Sequence, residues 1–240
     1  MKRTPLTVYI GYDAREEIAY EVAASSLRRH ASYPVNVQPL RLDKLEPQKL
    51  ITRPLQRMGL KMFDRISEAP QSTEFAASRF LAPLLHQEGW AIFVDCDVIF
   101  MRDVYEILPF LDDEKAVACV QHKHEPTEFT KMDGQDQTRY QRKNWSSFFA
   151  FNASHPANRR LTYDMVNTLP GRDLHRFCWL VDSEIGELPA QFNWLVNVQP
   201  MPAEAAVAHF TLGGPWFKDW LGAESDELWL EELAWHSKYK

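Results

Sequence analysis

The chain has no long apolar run. Its longest, such as Trp90–Val94 and Phe148–Phe151, are about five residues, where a membrane-spanning helix needs about 18 or more, so no transmembrane segment is expected. It also has no charged-then-apolar leader. Met1-Lys2-Arg3-Thr4-Pro5 runs directly into a strand-like segment, which predicts a protein made and used in the cytoplasm. Cysteine is scarce: Cys96, Cys119 and Cys178 are odd in number and far apart, so neither a disulfide framework nor a thiolate metal motif is present. Cys96 and Cys119 lie in apolar runs and read as small buried hydrophobes. Positive charge is not in excess, with 27 Lys and Arg against 33 Asp and Glu and a net charge of −6. The basic footprint of nucleic-acid binding is therefore absent. A phosphorylated substrate would need cations recruited locally, from a metal or a few Arg and Lys. Gly-x-x-x-x-Gly-Lys-Ser/Thr, Gly-x-Gly-x-x-Gly and Gly-x-Ser-x-Gly are all missing. Their absence argues against a P-loop, a dinucleotide fold and an α/β-hydrolase.

What is present is a chain of 240 residues, 45% hydrophobic and 12% aromatic. The aromatics and β-branched residues run along its whole length, which excludes disorder as the dominant state. One domain spanning residues 1–240 is expected. Thr7–Ile10 reads as a strand ending at Gly11, and Asp13 stands three residues before Glu16, the spacing of a helix-capping arrangement. Ile18, Val22, Ala23, Ser26 and Leu27 share one face, so residues 15–30 read as an amphipathic helix, and Val35–Leu40 as a second strand. This β-α-β opening predicts an α/β fold with a mainly parallel sheet flanked by helices. Residues 43–73, punctuated by Pro47, Pro54, Gly59 and Pro70, read as irregular. Ser72 is placed to cap a helix over 73–87, kinked by Pro83. Trp90–Val94 suits the centre of a sheet, buried on both faces. Further strands are expected at 117–121, 147–151 and 206–210, and helices at 157–168 and 226–236. The last of these carries Leu228, Trp229, Leu230 and Leu233 beside Glu224, Asp226, Glu227, Glu231 and Glu232. That acidity disfavours peripheral contact with anionic lipid, so docking on the core is expected.

The sharpest chemical signal is Asp95-Cys96-Asp97 after the Trp90–Val94 run. Two carboxylates two residues apart, at a strand's end, project to the same side of the chain. Side by side they repel unless a cation neutralises them, and hard oxygen ligands suit Mg²⁺ or Mn²⁺ carrying a substrate's phosphates. The alternative is structural, with Asp95 starting a turn and Asp97 capping a Val98–Leu108 segment. His209, at the end of another apolar run and just before Gly213-Gly214, can complete a three-ligand site. The two glycines would let backbone amides approach a phosphate.

Other segments carry residue types suited to chemistry. Lys131–Gln137 and Tyr140–Ser147 mix planar polar groups with aromatics, as sugar-reading surfaces do, with an ordinary solvated loop as the alternative. Trp194, in Gln191-Phe192-Asn193-Trp194, is either an acceptor-stacking ring or, the favoured reading, a core residue. His122-Lys123-His124-Glu125 reads as a solvated strand end rather than a metal cluster, because no third partner lies near it.

Taken in order, these features resemble the retaining GT-A glycosyltransferases of the family-8 type, which include glycogenin and the bacterial lipooligosaccharide galactosyltransferases. The likeness rests on the first strand with its Tyr and Asp, an Arg before an apolar strand, Asp-x-Asp, and a late His-Phe-x-x-Gly…Pro-Trp, from Tyr9 to about Trp216. It implies a GT-A nucleotide-sugar fold and a UDP-sugar donor. It also implies Mn²⁺ (or Mg²⁺) held by Asp95, Asp97 and His209, and a glycan or other hydroxyl acceptor. By the same likeness Ile10, Tyr12 and Asp13 match the uridine-binding turn, and Arg79 matches the basic residue that meets the donor. Asn144 to Asn152 match the strand flanking the transferred sugar. Asp182 matches the acidic position near it and, with Asp133, is the carboxylate expected to hold or polarise the sugar. The chain departs from the pattern where the usual Lys before Pro-Trp is replaced by Gly214, for which Lys218 is the nearest substitute. The expected function is metal-dependent transfer of a hexose from a UDP-sugar to a hydroxyl with retention. The rivals are a sugar-1-phosphate nucleotidyltransferase and a catalytically silent nucleotide-sugar or glycan-binding module.

Overall fold

A computed structural model describes residues 4–59, 61–122, 142, 144–223 and 225–240, and only the backbone of residue 219. The chain opens with β1 (Leu6–Gly11), α1 (Glu17–His30) and β2 (Val35–Leu40). A one-turn α2 (Leu42–Leu45) follows, then β3 (Leu55–Met58), β4 (Lys61–Asp64), β5 (Ala69–Gln71) and α3 (Ala82–Leu85). The middle of the chain forms β6 (Trp90–Val94), β7 (Val98–Phe100), β8 (Val117–Cys119) and β9 (Phe148–Asn152). Next come α4 (Tyr163–Thr168), α5 (Gly171–His175), β10 (Ile185–Glu187), β11 (Trp194–Leu195), β12 (Val207–His209) and α6 (Asp226–Tyr239).

Six strands make the central sheet, in the order β10-β8-β9-β6-β1-β2. β1 runs parallel to both β2 and β6, and β10 parallel to β8. Only β9 runs against its neighbours β6 and β8. The expected mainly parallel α/β sheet is what forms, with the expected central strand inside it. Ile92, Phe93 and Val94 of β6 are wholly buried, as a run apolar on both faces requires. Phe93 lies opposite Phe149 in register, with ring centroids 5.3 Å apart. Phe80, Phe177 and Trp179 continue the aromatic layer edge to face. Each such ring stabilises the fold by about 1.5–3 kcal/mol through burial.

A second, three-stranded sheet, β11-β12-β7, hangs from the end of β6, because β7 starts directly after Asp97. α1 packs beside it: Ser26 Oγ accepts from Phe100 N while donating to Ala23 O. α6 docks on the core as expected, with Trp229 buried against Val22 and Ile99, and Glu232 bridging Arg29 and His30 of α1.

Four local expectations are corrected. Residues 43–73 are not irregular; they hold α2 and the antiparallel sheet β3-β4-β5, which the prolines edge rather than break, Pro70 lying within β5. The helix expected over 73–87 is a 3-10 turn at Ser78–Leu81 followed by α3. Pro83 sits in the first turn of α3, where its missing N–H costs nothing, and Ser72 caps neither. The helix expected over 157–168 breaks into a 3-10 turn at Pro156–Arg160 and α4, because Thr162 caps a new start by accepting from Met165 N. Asp97 caps no helix: Val98–Phe100 is a strand, and Asp103 caps the 3-10 segment Val104–Phe110.

Candidate functional site

The carboxyl ends of β1 and β6 and the amino end of β9 meet on one edge of the central sheet. A cavity of about 290 Å³ opens there, at the place where open α/β sheets bind ligands. The sheet order sets its layout. On the β1 side lie Glu16, Ser72 and Thr73; in the middle Asp95, Asp97 and His209; on the β9 side Arg79, Asn144, Ser146, Ser147 and His175. The loop Thr211–Gly213 and Phe217 also line it.

The three central residues converge for a backbone reason. β12 pairs antiparallel with β7 in a register that sets His209 opposite Val98, and Phe210 N donates to Asp97 O. His209 Nε2 is thereby held 3.3 Å from Asp97 Oδ1. Ligand atoms of Asp95, Asp97 and His209 all lie within 4.8 Å of one another. Arg79 Nη1, almost fully buried, lies 2.8 Å from Asp95 Oδ1 and donates to Ser146 O. The ion pair is off-line for a hydrogen bond, and among the described residues neither Asp95 Oδ1 nor Asp97 Oδ1, both buried, has a hydrogen-bond partner.

The electrostatics reflect that crowding. Burial pushes Asp95 up to about 7; Arg79 opposes the rise and Asp97 adds to it. Burial also works against ionised Asp97, but the charge of His209, with Nε2 3.3 Å away, outweighs it and the pKa falls. His209 itself is raised, because Asp97 outweighs its burial. Glu16 is pushed up to about 8 by burial and by the negative charges of Asp97 and Asp13. His175 falls well below its ordinary value through burial and the neighbouring Arg79 and Arg53.

The other residues expected at the site divide. Arg79, Asn144 and Gly213 line the cavity. Gly214 stands beside it and is required sterically, since a Cβ there would lie 2.1 Å from the Trp216 ring. Ile10 is wholly buried in the core, and Tyr12 packs under Arg41 with its hydroxyl on Glu17. Asp13 is fully buried, and its carboxylate accepts from Arg15 and from Glu74 N. These three shape the turn from behind and do not reach the cavity. Asn152 is at the far end of β9, paired with Trp90, because antiparallel β9 carries it away from Asp95. Asp182 is 92% exposed, pairs with Arg142 and lies outside the cavity lining. Lys218 is exposed on a 3-10 turn, also outside it. Asp133 and the segments 123–141 and 143 lie outside the described residues.

Two further readings resolve. Trp194 is core, its Nε1 donating to Gln199 O. His122 is not a solvated strand end; it is buried between the side-chain amides of Asn193 and Gln199. Ser146 lies in the Tyr140–Ser147 segment expected to read a sugar, whereas the sequence reading missed Glu16, His175 and Asn193. Glu16 was read only as a helix-capping partner, and nothing in the spacing of His175 and Asn193 announces their convergence.

No protein-family model matches the chain. Among solved structures, it is similar to the glycosyltransferase GlyE of Streptococcus pneumoniae TIGR4, with TM-score 0.58 and 14% identity over 99% of this chain and 64% of that one. It thus spans just under two thirds of GlyE. It is also similar to LgtC, with TM-score 0.61 and 13% identity over 95% of both chains. LgtC is a galactosyltransferase whose structure has been solved with donor and acceptor sugar analogs. These likenesses establish the fold as that of the GT-A glycosyltransferases. In sequence, Protein CDI of Arabidopsis thaliana is 42% identical over 244 residues, covering 99% of this chain and 89% of that protein. With identity at that level over practically its whole length, the chain belongs to the family of Protein CDI.

Proposed function

We propose that the protein is a metal-dependent glycosyltransferase that moves a hexose from a UDP-sugar to an acceptor hydroxyl with retention, within one domain over residues 1–240. The observation that carries this reading is the convergence of Asp95, Asp97 and His209 in a cavity at the carboxyl edge of a GT-A sheet. The residues fit a divalent cation. One oxygen of each carboxylate and one imidazole nitrogen lie within 4.8 Å of one another, with Asp97 Oδ1 3.3 Å from His209 Nε2, a donor set that favours Mn²⁺ over the all-oxygen preference of Mg²⁺. Such a cation supplies Lewis-acid stabilisation of the charge that develops on a departing diphosphate.

The chain's own residues divide the remaining work. On the β1 side, Glu16, Ser72 and Thr73 offer polar groups to the nucleoside half; Thr73 Oγ1 is buried and has no hydrogen-bond partner among the described residues. Gly213, at φ +121, turns the loop after β12 without a Cβ to obstruct a phosphate. Arg79 holds Asp95 in place and presents positive charge to the donor. On the β9 side, the Ser146 hydroxyl and His175 Nδ1 lie 2.7 Å apart, and with Asn144 they flank the position of the transferred sugar. Retention follows the family resemblance: the acceptor oxygen bonds to the anomeric carbon on the face the diphosphate leaves, and its proton passes to the leaving phosphate oxygen.

The test is calorimetry of UDP with Mn²⁺, beside release of UDP from a panel of nucleotide sugars. Asp95→Asn and Asp97→Asn should each abolish Mn²⁺-dependent UDP binding while the fold persists. Wild-type affinity in both variants would overturn the metal reading. UDP release from none of the sugars, with binding intact, would favour a silent binding module.

A further inference from the structure

Behind the metal-binding edge runs a buried polar chain whose members come from four segments. Asn193 sits at its centre, with no exposed surface. Its Oδ1 lies 2.9 Å from His209 Nδ1, and its Nδ2 lies 3.0 Å from Ser147 Oγ and 3.1 Å from His122 Nε2. The Gln199 side-chain amide closes the chain 3.3 Å from His122 Nδ1.

The direction of these hydrogen bonds is set at Ser147. Its hydroxyl proton goes to Asn144 O, so toward Asn193 it can only accept. The group facing it must therefore be the amide nitrogen, and the amide oxygen is left to face His209. An oxygen only accepts, so the proton of the His209 ring sits on Nδ1. The lone pair of the neutral ring is then on Nε2, the nitrogen pointing at Asp97. A reversed amide would place N–H groups against Nδ1, move the ring proton to Nε2 and remove the ligand.

We propose that Asn193 is a positioning residue for the cation site: by accepting from Nδ1–H it fixes His209 in the tautomer and ring orientation that present Nε2 to a divalent cation. The proposal rests on the metal-dependent reading above. Partners of this kind on a metal-bound histidine typically change affinity by about 10–100-fold, and Asn193 is the group in direct contact with the ring.

The experiment uses the full chain, with Mn²⁺ and UDP titrated by calorimetry into the wild type, Asn193→Leu and Asn193→Asp. Leu is close in volume and can make none of the hydrogen bonds; Asp keeps the acceptor and loses the donor. Asn193→Leu should bind Mn²⁺ at least about tenfold more weakly, and Asn193→Asp should stay within about threefold of wild type although both lose thermal stability. A proton NMR signal from the His209 ring Nδ1–H, identified by its loss in His209→Gln, should be shielded from exchange in metal-free wild type and Asn193→Asp. Unchanged affinity in Asn193→Leu would overturn the proposal. Equal weakening of both variants in step with their melting temperatures would overturn it too, by showing Asn193 to be structural only. If Asn193→Leu does not fold, the Asp variant and the wild-type ring proton decide the matter in the same sense. If wild type binds no Mn²⁺, the function proposed above fails, and the ring-proton signal still tests the tautomer separately.

Discussion

Trp216 Nε1 donates a 3.2 Å hydrogen bond to Glu16 Oε2, joining the loop after β12 to the turn after β1. The indole lies close against Gly214, where any Cβ would strike the ring. The bond leaves Glu16 facing Asp97 and Asp13 in a buried setting, and its carboxyl is pushed up to about 8.

A raised carboxyl is a stability cost above its unfolded pKa. Between about pH 4.5 and 8 the unfolded chain releases this proton and the metal-free native chain keeps it, so stability falls as pH rises through that window. Glu16→Gln keeps the shape and removes the titration. The metal-free variant should exceed wild type in urea-unfolding stability by a few kcal/mol at pH 8 and match it near pH 4. A variant no more stable at pH 8 would refute the assignment.

Gly214→Ala should displace the Trp216 ring and release Glu16. Trp fluorescence should shift and Mn²⁺-dependent UDP binding should weaken, because the loop carrying Gly213 moves with it. An unchanged spectrum and affinity would mean that the loop yields without effect.

His122 behaves oppositely to Glu16 with respect to pH. Burial, then the charge of His209, lowers it to about 4. Between about pH 6.5 and 4 the unfolded chain takes up a proton that the native chain refuses, so stability is lost as pH falls. The penalty approaches about 3 kcal/mol near pH 4, at 1.36 kcal/mol per pKa unit. His122→Gln should lose less stability than wild type between pH 7.5 and 4, measured by chemical denaturation at both. Identical acid profiles would place the titration elsewhere.

Arg79 and Asp182 should separate cleanly. Arg79→Ala leaves Asp95 buried beside Asp97 without its guanidinium and should lower turnover by about a hundredfold, with weaker UDP binding. Asp182→Asn removes a charge that is 92% exposed and outside the cavity lining. Stability should change by less than about 0.5 kcal/mol, and UDP release from the sugar donor should stay near wild type. A large loss of turnover with Asp182→Asn would restore the role that the family likeness assigns to it.

Much of the molecule was legible in the order of its residues. The β-α-β opening, the doubly buried Trp90–Val94 strand and the docked terminal helix follow from local periodicity, because each element's apolar pattern has to be buried against something. Asp95 and Asp97 were legible as a pair because two residues along an extended chain point the same way. His209 was legible as a candidate third ligand from its place at a strand's end before Gly213-Gly214, but not the contact that brings it to them. The physical cause is the β12–β7 register, which no local pattern encodes. Residues 55–71 were missed as strands because short antiparallel segments bordered by prolines carry little alternation of their own. Asn152 lies at the far end of β9 and Asp182 on the exposed surface, because sequence position does not say which way a strand runs or which side chain the fold leaves outside. Glu16, His175 and Asn193 belong to separate segments, and an isolated polar residue acquires a chemical role only from what surrounds it. Composition and periodicity determined the sheet and its core, which depend on burial; tertiary structure alone decided which polar groups meet at the sheet's edge, because that depends on strand direction and register.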